Sequence, residues 1–301
     1  AMYDFYIEKN IRTEIDGYAA IARLYKEVHN QKDISLRINF SQCIHFDANL
    51  ASVLGALIDL LIEEGYQVWI TKPLYTGVRR ILSRNQFLKA FLIDTSNEDK
   101  ETFIPYRKFS QTESDDFKKY IDDELISKQK FPKHTELVGR NINESIFEIY
   151  VNAITHGNSK SVYCCGEYKP EVEIPRLDVT IVDCGNTIYK NVCDYCARKG
   201  LDSLNSFEAI EWAIQEGNTT KESTGGLGLS LIKDFIDLNK GLLQIISSDG
   251  FWEYENGEVN SKFMENIFPG TIVNMEFNFN DDKFYYMSEE KEALLDPNDL
   301  L

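Results

Sequence analysis

Glu148 and Asn152 stand four residues apart in E-I-Y-V-N-A-I-T-H-G, residues 148–157, so on a helix a carboxylate and a carboxamide share one face, a turn apart. Glu144 lies one turn earlier, and His156-Gly157 ends the segment. Such a face is either solvated or does chemistry. A second candidate closes the run R-L-D-V-T-I-V-D-C-G-N-T-I. An Asp at the end of a buried strand is costly to desolvate unless it accepts hydrogen bonds. Asp183 is therefore either a turn residue ahead of Gly185 or an acceptor for an exocyclic amine such as that of adenine. A third lies in T-T-K-E-S-T-G-G-L-G-L-S, where Gly225, Gly226, Leu227 and Gly228 lead into a helix. Unencumbered backbone N–H groups at the positive end of a helix dipole bind phosphate. Thr219, Thr220 and Lys221 add hydroxyls and a compact cation suited to a terminal phosphate. Neither G-x-G-x-x-G after a strand nor the Walker pattern is met, so those nucleotide folds are not indicated.

Other reactive side chains form weaker patterns. Cys193-Asp-Tyr-Cys196 has the spacing of half a zinc site, but the only other close pair among the six cysteines is Cys164-Cys165. Free thiols in a reducing compartment are expected. His156 reads as a helix-end residue favoured by the dipole. His134-Thr135-Glu136-Leu137 has the look of a phosphoacceptor box but stands too close to Asn152 for a two-helix dimerisation unit.

Composition limits what these residues could serve. The 301 residues suggest two domains, and 43% hydrophobic content with only 7 Pro and 17 Gly excludes a disordered or fibrous chain. Acidic residues outnumber basic ones 49 to 32, a net charge of -17 that repels phosphodiester backbones, so nucleic acid is not an expected partner. No apolar run reaches the roughly 20 residues of a membrane span. The start A-M-Y-D-F lacks the segments of a signal peptide, and Ala1 reads as a cloning scar, so a cytoplasmic protein is expected.

The elements that must hold these groups are legible as alternating patterns. Strands are expected at 3–7 and 34–40 and in Y-Q-V-W-I, with helices at 14–28, at 48–64 before Gly65, and from Thr76 toward Phe91. Strands separated by helices of that length imply parallel crossovers and an α/β layer. Asp47 reads as the N-cap of the helix at 48–64. The charged segment 111–132 suits a connector helix exposed over most of its surface, which puts a boundary near Ser110. A helix then runs from Lys133 to Gly157, L-D-V-T-I-V alternates as in a half-buried sheet, and 242–250 and 270–277 read as strands. Phe207, Ile210, Trp212 and Ile214 form an amphipathic helix expected to pack on the sheet, with partner docking the alternative.

Taken in order, E-x-x-x-N-A, D-x-G-x-x-I, T-T-K and G-G-L-G-L-S, with the closing strand G-T-I-V-N-M-E-F, resemble the GHKL (Bergerat-fold) ATPases over about 133–282. That family includes gyrase B subunits, MutL proteins, histidine kinases and anti-sigma serine kinases. The resemblance implies a two-layer α/β sandwich that binds ATP with magnesium. It implies that Asn152 holds the metal, that Glu148 is the general base, and that Asp183 accepts from the adenine amine with Gly185 and Ile188 beside the base. Thr220, Lys221, Gly225, Gly226, Leu227 and Gly228 would hold phosphate, under a lid spanning 188–222. Thr187 stands where the family pattern D-x-G-x-G has its last Gly. Residues 1–110 are similar to a STAS-type domain, the fold of anti-anti-sigma factors, although Ala48 replaces the phosphorylatable Ser after Asp47. The expected architecture is thus α/β (α+β): a STAS-like domain at 1–110, a connector at 111–132, the ATP-binding domain at 133–282 and a tail at 283–301. The expected function is a magnesium-dependent ATP-binding switch with serine kinase or slow ATPase activity and a protein partner, a homodimer being compatible. A non-catalytic nucleotide-binding scaffold is the alternative, and a MutL- or gyrase-like clamp ranks last because only about twenty residues follow Phe279.

Overall fold

A computed structural model describes residues 1–215, 217–218 and 228–294. The first part of the chain alternates short strands and helices: β1 (Met2–Tyr6), β2 (Asn10–Ile11), α1 (Ile15–Val28), β3 (Ser35–Asn39), β4 (His45–Phe46), α2 (Ala51–Glu63), β5 (Gln67–Ile70), α3 (Thr76–Arg84) and α4 (Phe87–Ala90). β1, β3 and β5 form a parallel three-stranded sheet in the order β1-β3-β5. Its inner face rests on α1 and α2, both apolar on that side. Trp69 on β5 is 60% exposed on the outer face.

Then follow β6 (Phe103–Ser110), α5 (Ser114–Ile121), β7 (Lys133–His134), α6 (Glu136–Val151), β8 (Ser161–Lys169), β9 (Arg176–Asp183), α7 (Ile188–Lys199), α8 (Ser206–Ile214), α9 (Gly228–Asn239), β10 (Leu242–Glu255), β11 (Glu258–Asn278) and β12 (Phe284–Tyr285). Five of these strands make an antiparallel sheet in the order β10-β11-β9-β8-β6. The fold is mixed α/β, and among the described residues no helix is long and apolar enough to cross a membrane.

Three expectations about the layers are corrected. Residues 103–110, grouped by sequence with the first unit, pair with β8 and form the edge of the larger sheet, so that sheet begins before Ser110. The connector is less exposed than its charge suggests: Phe117, Tyr120, Ile121, Leu125 and Ile126 are buried against α6 and the sheet. The larger sheet is covered on both faces. Leu177, Val179 and Ile181 of β9 join a core with α5, α6 and α9, whereas Val182, with Tyr163, Cys165 and Ile272, joins the core of the first unit. The polar members of L-D-V-T-I-V therefore face protein, and Asp178 and Thr180 are both 0% exposed.

Burial of those polar groups demands partners. Asn49 Nδ2 donates to Thr180 Oγ1 (3.0 Å), which donates to Asn274 Oδ1 (2.8 Å). Asn274 Nδ2 and the Tyr18 hydroxyl both donate to Gln244 Oε1, at 3.1 and 2.7 Å. This network ties α1 and the turn before α2 to three strands of the larger sheet. Asp47 stands at the N-cap position of the 3-10 turn Ala48–Leu50 that leads into α2, but its side chain makes no capping bond. Its carboxylate accepts instead from the Thr13 amide and hydroxyl, at 2.7 and 2.8 Å, and faces His45 and Lys169.

β10 and β11 run beyond the sheet as a paired arm that turns at Asn256-Gly257. Met264 and Phe268 pack toward α1, and Asn266 Nδ2 donates to Ala19 O (2.9 Å). On its other side the arm meets α8, where Trp252, fully buried, donates its indole N–H to Glu211.

Candidate functional site

α6 starts cleanly because the Thr135 side chain accepts from the Val138 amide, and its apolar residues Ile142, Ile146 and Ile149 are buried against the sheet. The helix then widens into a π turn, Asn152–His156, a distortion frequent at functional positions. Glu148 and Asn152, His156 on the π turn, and Asp183 at the end of β9 all line one cleft. Ile188, Asn191 and Trp212 of α7 and α8 form its opposite wall, with Gly228 and Leu229 at the start of α9. The segment expected as a lid therefore contributes two helices that cover the cleft. Its α8 packs on the sheet through Ile210 and Ile214, while Phe207 meets Phe263 of the arm and Trp212 meets Tyr195.

Asn152 carries the most informative atom. Its backbone N–H donates to Glu148 O and Ile149 O, which continues the helix, but among the described residues Oδ1 is a buried acceptor without a hydrogen-bond donor. A buried unsatisfied oxygen costs on the order of 1–3 kcal/mol. A hard cation, which takes oxygen ligands, would satisfy it. No three His, Cys, Asp or Glu side chains among the described residues converge to hold a metal ion. Asn152 Oδ1 could serve as one oxygen ligand of such a cation.

Asp183 is 6% exposed, and its Oδ1 accepts from Ser159 Oγ (2.8 Å) and the Gly185 amide (3.0 Å). Burial raises its pKa to about 6 against the opposing pull of these two bonds. Thr271 faces it in register from β11 and also lines the cleft. Sequence reasoning missed Thr271 as a site residue; the strand G-T-I-V-N-M-E-F was visible, but its pairing with β9 was not.

Gly185 does not line the cleft. A Cβ there would fall 2.1 Å from Gly157 O and 2.2 Å from Ser159 Oγ, so its bareness lets the end of β9 seat against the end of the π turn. The Asn186 amide donates to Gly157 O (2.5 Å), fixing Asp183 relative to Asn152. Thr187 likewise has a local duty: it is the N-cap of α7 and accepts from the Lys190 amide at 3.0 Å. Gly228 lies flush on the general-base candidate, since a Cβ there would be 2.7 Å from Glu148 Oε2. Thr220, Lys221, Gly225, Gly226 and Leu227 lie outside the described residues, as does Thr219.

No protein-family model and no curated protein matches this chain.

The remaining reactive side chains have structural roles. All six cysteines are free, and burial raises the thiol pKa of Cys43, Cys164, Cys165 and Cys184. Cys196 is buried in α7 against Val192 and Ala209. His134 Nδ1 is 2.7 Å from Pro132 O and its ring packs edge-on to Phe131.

Proposed function

We propose that the chain is a magnesium-dependent ATP-binding protein of the GHKL type that transfers or hydrolyses the terminal phosphoryl group, with a STAS-like N-terminal unit as its interaction module. The observation that carries this reading is the orphaned Asn152 Oδ1 in a cleft that the Asp183 carboxylate also lines. Both hydrogen bonds to Asp183 end on Oδ1, so Oδ2 is left to accept from an exocyclic amine. Guanine, with a carbonyl at the corresponding place, would set two acceptors against each other. Phosphoryl transfer requires chiefly positioning and charge stabilisation. Asn152 Oδ1 would hold the cation, which when bound offsets the negative charge of the phosphates. Glu148, one helical turn away, takes a proton from water or from a protein hydroxyl. α7 and α8 exclude bulk water from the cleft, which strengthens each of these polar interactions.

The test is a thermal-shift titration of ATP with and without magnesium, joined to a turnover assay. A ligand at one hundred times its Kd stabilises by about 2.7 kcal/mol. Wild type gains a magnesium-dependent shift, Asn152→Ala loses it, and Glu148→Gln keeps the shift but loses turnover. Absence of any shift in the wild type overturns the proposal and leaves a scaffold without nucleotide.

A further inference from the structure

On the sheet face opposite the cleft, three carboxylates stand in one cross-strand row. Glu167 of β8 faces Asp178 of β9, which faces Glu276 of β11. Like charges directly opposite on neighbouring strands repel. Their side chains are only 14%, 1% and 17% exposed, so water does little to screen them. A fourth carboxylate descends from the N-terminal unit, where Asp47 Oδ1 lies 3.3 Å from Lys169 Nζ. Two cations answer these four acids. Lys169 Nζ is 3.3 Å from Asp178 Oδ2 and 3.9 Å from Glu167 Oε2, while Arg176 Nε is 3.5 Å from Glu276 Oε2 and 4.0 Å from Asp178. The other ionisable groups around the row do not restore the balance. Glu253 on β10 is engaged by Gln244 and Glu255 adds negative charge beside Glu276. Tyr18 of α1 is a buried neutral phenol bonded to Gln244, and His45 is spent on Asp47 and Arg12.

One detail shows how the excess charge is handled. Neither oxygen of Asp178 receives a hydrogen bond from a donor in the described residues, although the side chain is fully buried. A proton on the facing Glu276 carboxyl would supply the missing donor and remove the repulsion between the two carboxylates. At the other end of the row, Glu167 Oε2 accepts the Ala48 amide (2.9 Å), the first backbone group of the turn leading into α2.

We propose that the Glu167–Asp178–Glu276 row is a proton-operated joint that fastens the N-terminal unit to the back of the ATP-site sheet when a proton is held and loosens it when the proton leaves. The titration range follows from the burial of these acids. Desolvation raises Glu276 to about 8 and Glu167 to about 7. Their stabilising effect is complete below about 4.5, declines as pH rises above it, and is gone above about 8. Asp47 has the opposite sign: its hydrogen bonds from His45 and Thr13, with Lys169, outweigh burial and hold it ionised, so its contribution is lost only in strong acid. The joint therefore responds across neutral pH. Because β9 carries Asp178 and Asp183 on opposite faces, a change at the joint acts on the strand that ends in the cleft.

Hydrogen exchange on the full chain at pH 6 and pH 8.5 tests the joint through the Ala48 amide, read as a protection factor so that intrinsic exchange chemistry cancels. In the wild type, protection at Ala48 falls between these values, by up to about tenfold per pH unit for each proton released. Glu276→Gln, which keeps the hydrogen-bond donor without the charge, removes the larger part of that loss and leaves the part due to Glu167, and its unfolding midpoint exceeds that of the wild type at pH 8.5 but not at pH 6. Glu167→Gln is the second variant, with a smaller flattening expected. Equal loss of protection in wild type and Glu276→Gln, or none in the wild type, overturns the proposal.

Discussion

Asp183 combines a recognition surface with a burial cost, and the two separate by pH. Its pKa of about 6 lies above the ordinary carboxylate value of 3.8, so the folded chain holds this proton more tightly than the unfolded chain does. The resulting stabilisation is whole below pH 3.8, declines as pH rises, and is lost above pH 6. Asp183→Asn removes that pH-dependent component, an effect of up to about 3 kcal/mol between the two limits, seen in urea midpoints taken across pH 4–7. The same variant, with its amide nitrogen turned to the cleft, weakens ATP binding by about 1–3 kcal/mol, which calorimetry reads directly. On the opposite face of β9, Asn49→Ala strips the Thr180 hydroxyl of a donor and leaves the buried network incomplete. A loss of about 1–3 kcal/mol in chemical denaturation is expected, with nucleotide affinity unchanged.

α7 begins on Thr187, and this explains a residue that departs from the D-x-G-x-G pattern. An N-cap hydroxyl on the Lys190 amide is worth about 1 kcal/mol, so Thr187→Ala lowers stability by that amount, whereas Thr187→Gly costs only a few tenths. Denaturation curves of the two variants side by side check the ordering. The long periodic elements were readable from sequence: α1, α2, α6 and β9 stand where apolar spacing puts them. Two strands of the larger sheet were not. β8 reads S-V-Y-C-C-G-E-Y-K, and because both its faces are covered it shows no period of two. β6 contains Pro105, a residue that argues against a strand, and the ladder with β8 slips its register between Ile104 and Arg107 to accommodate it at the sheet edge. Asp47 failed as a cap for a different reason: local preference pointed to the helix start, but Thr13 and Lys169, distant in sequence, together with the nearby His45 offered stronger partners.

α1 and α2 lie between the two sheets and serve both, so the N-terminal unit completes the core of the larger sheet. A fragment beginning at residue 101 would expose Tyr163, Val182, Ile272 and the Asn49-facing polar network to water. It is expected to bind the dye ANS and to unfold without a cooperative transition, as measured by calorimetry. Glu148, Asn152 and Asp183, which line one cleft, were legible as candidates because each sits in a local motif; Thr271 and the carboxylate row were not, because strand register between distant segments creates both. The arm of β10 and β11 has an optical consequence. The chain holds three tryptophans: Trp69 is in solvent on the small sheet, Trp212 is in the cleft wall, and Trp252 is buried in the arm with its indole on Glu211 of α8. Their emission is accordingly expected to spread from red to blue, and a ligand entering the cleft would quench the middle component with the other two held steady, an unlabelled fluorescence signal for occupancy.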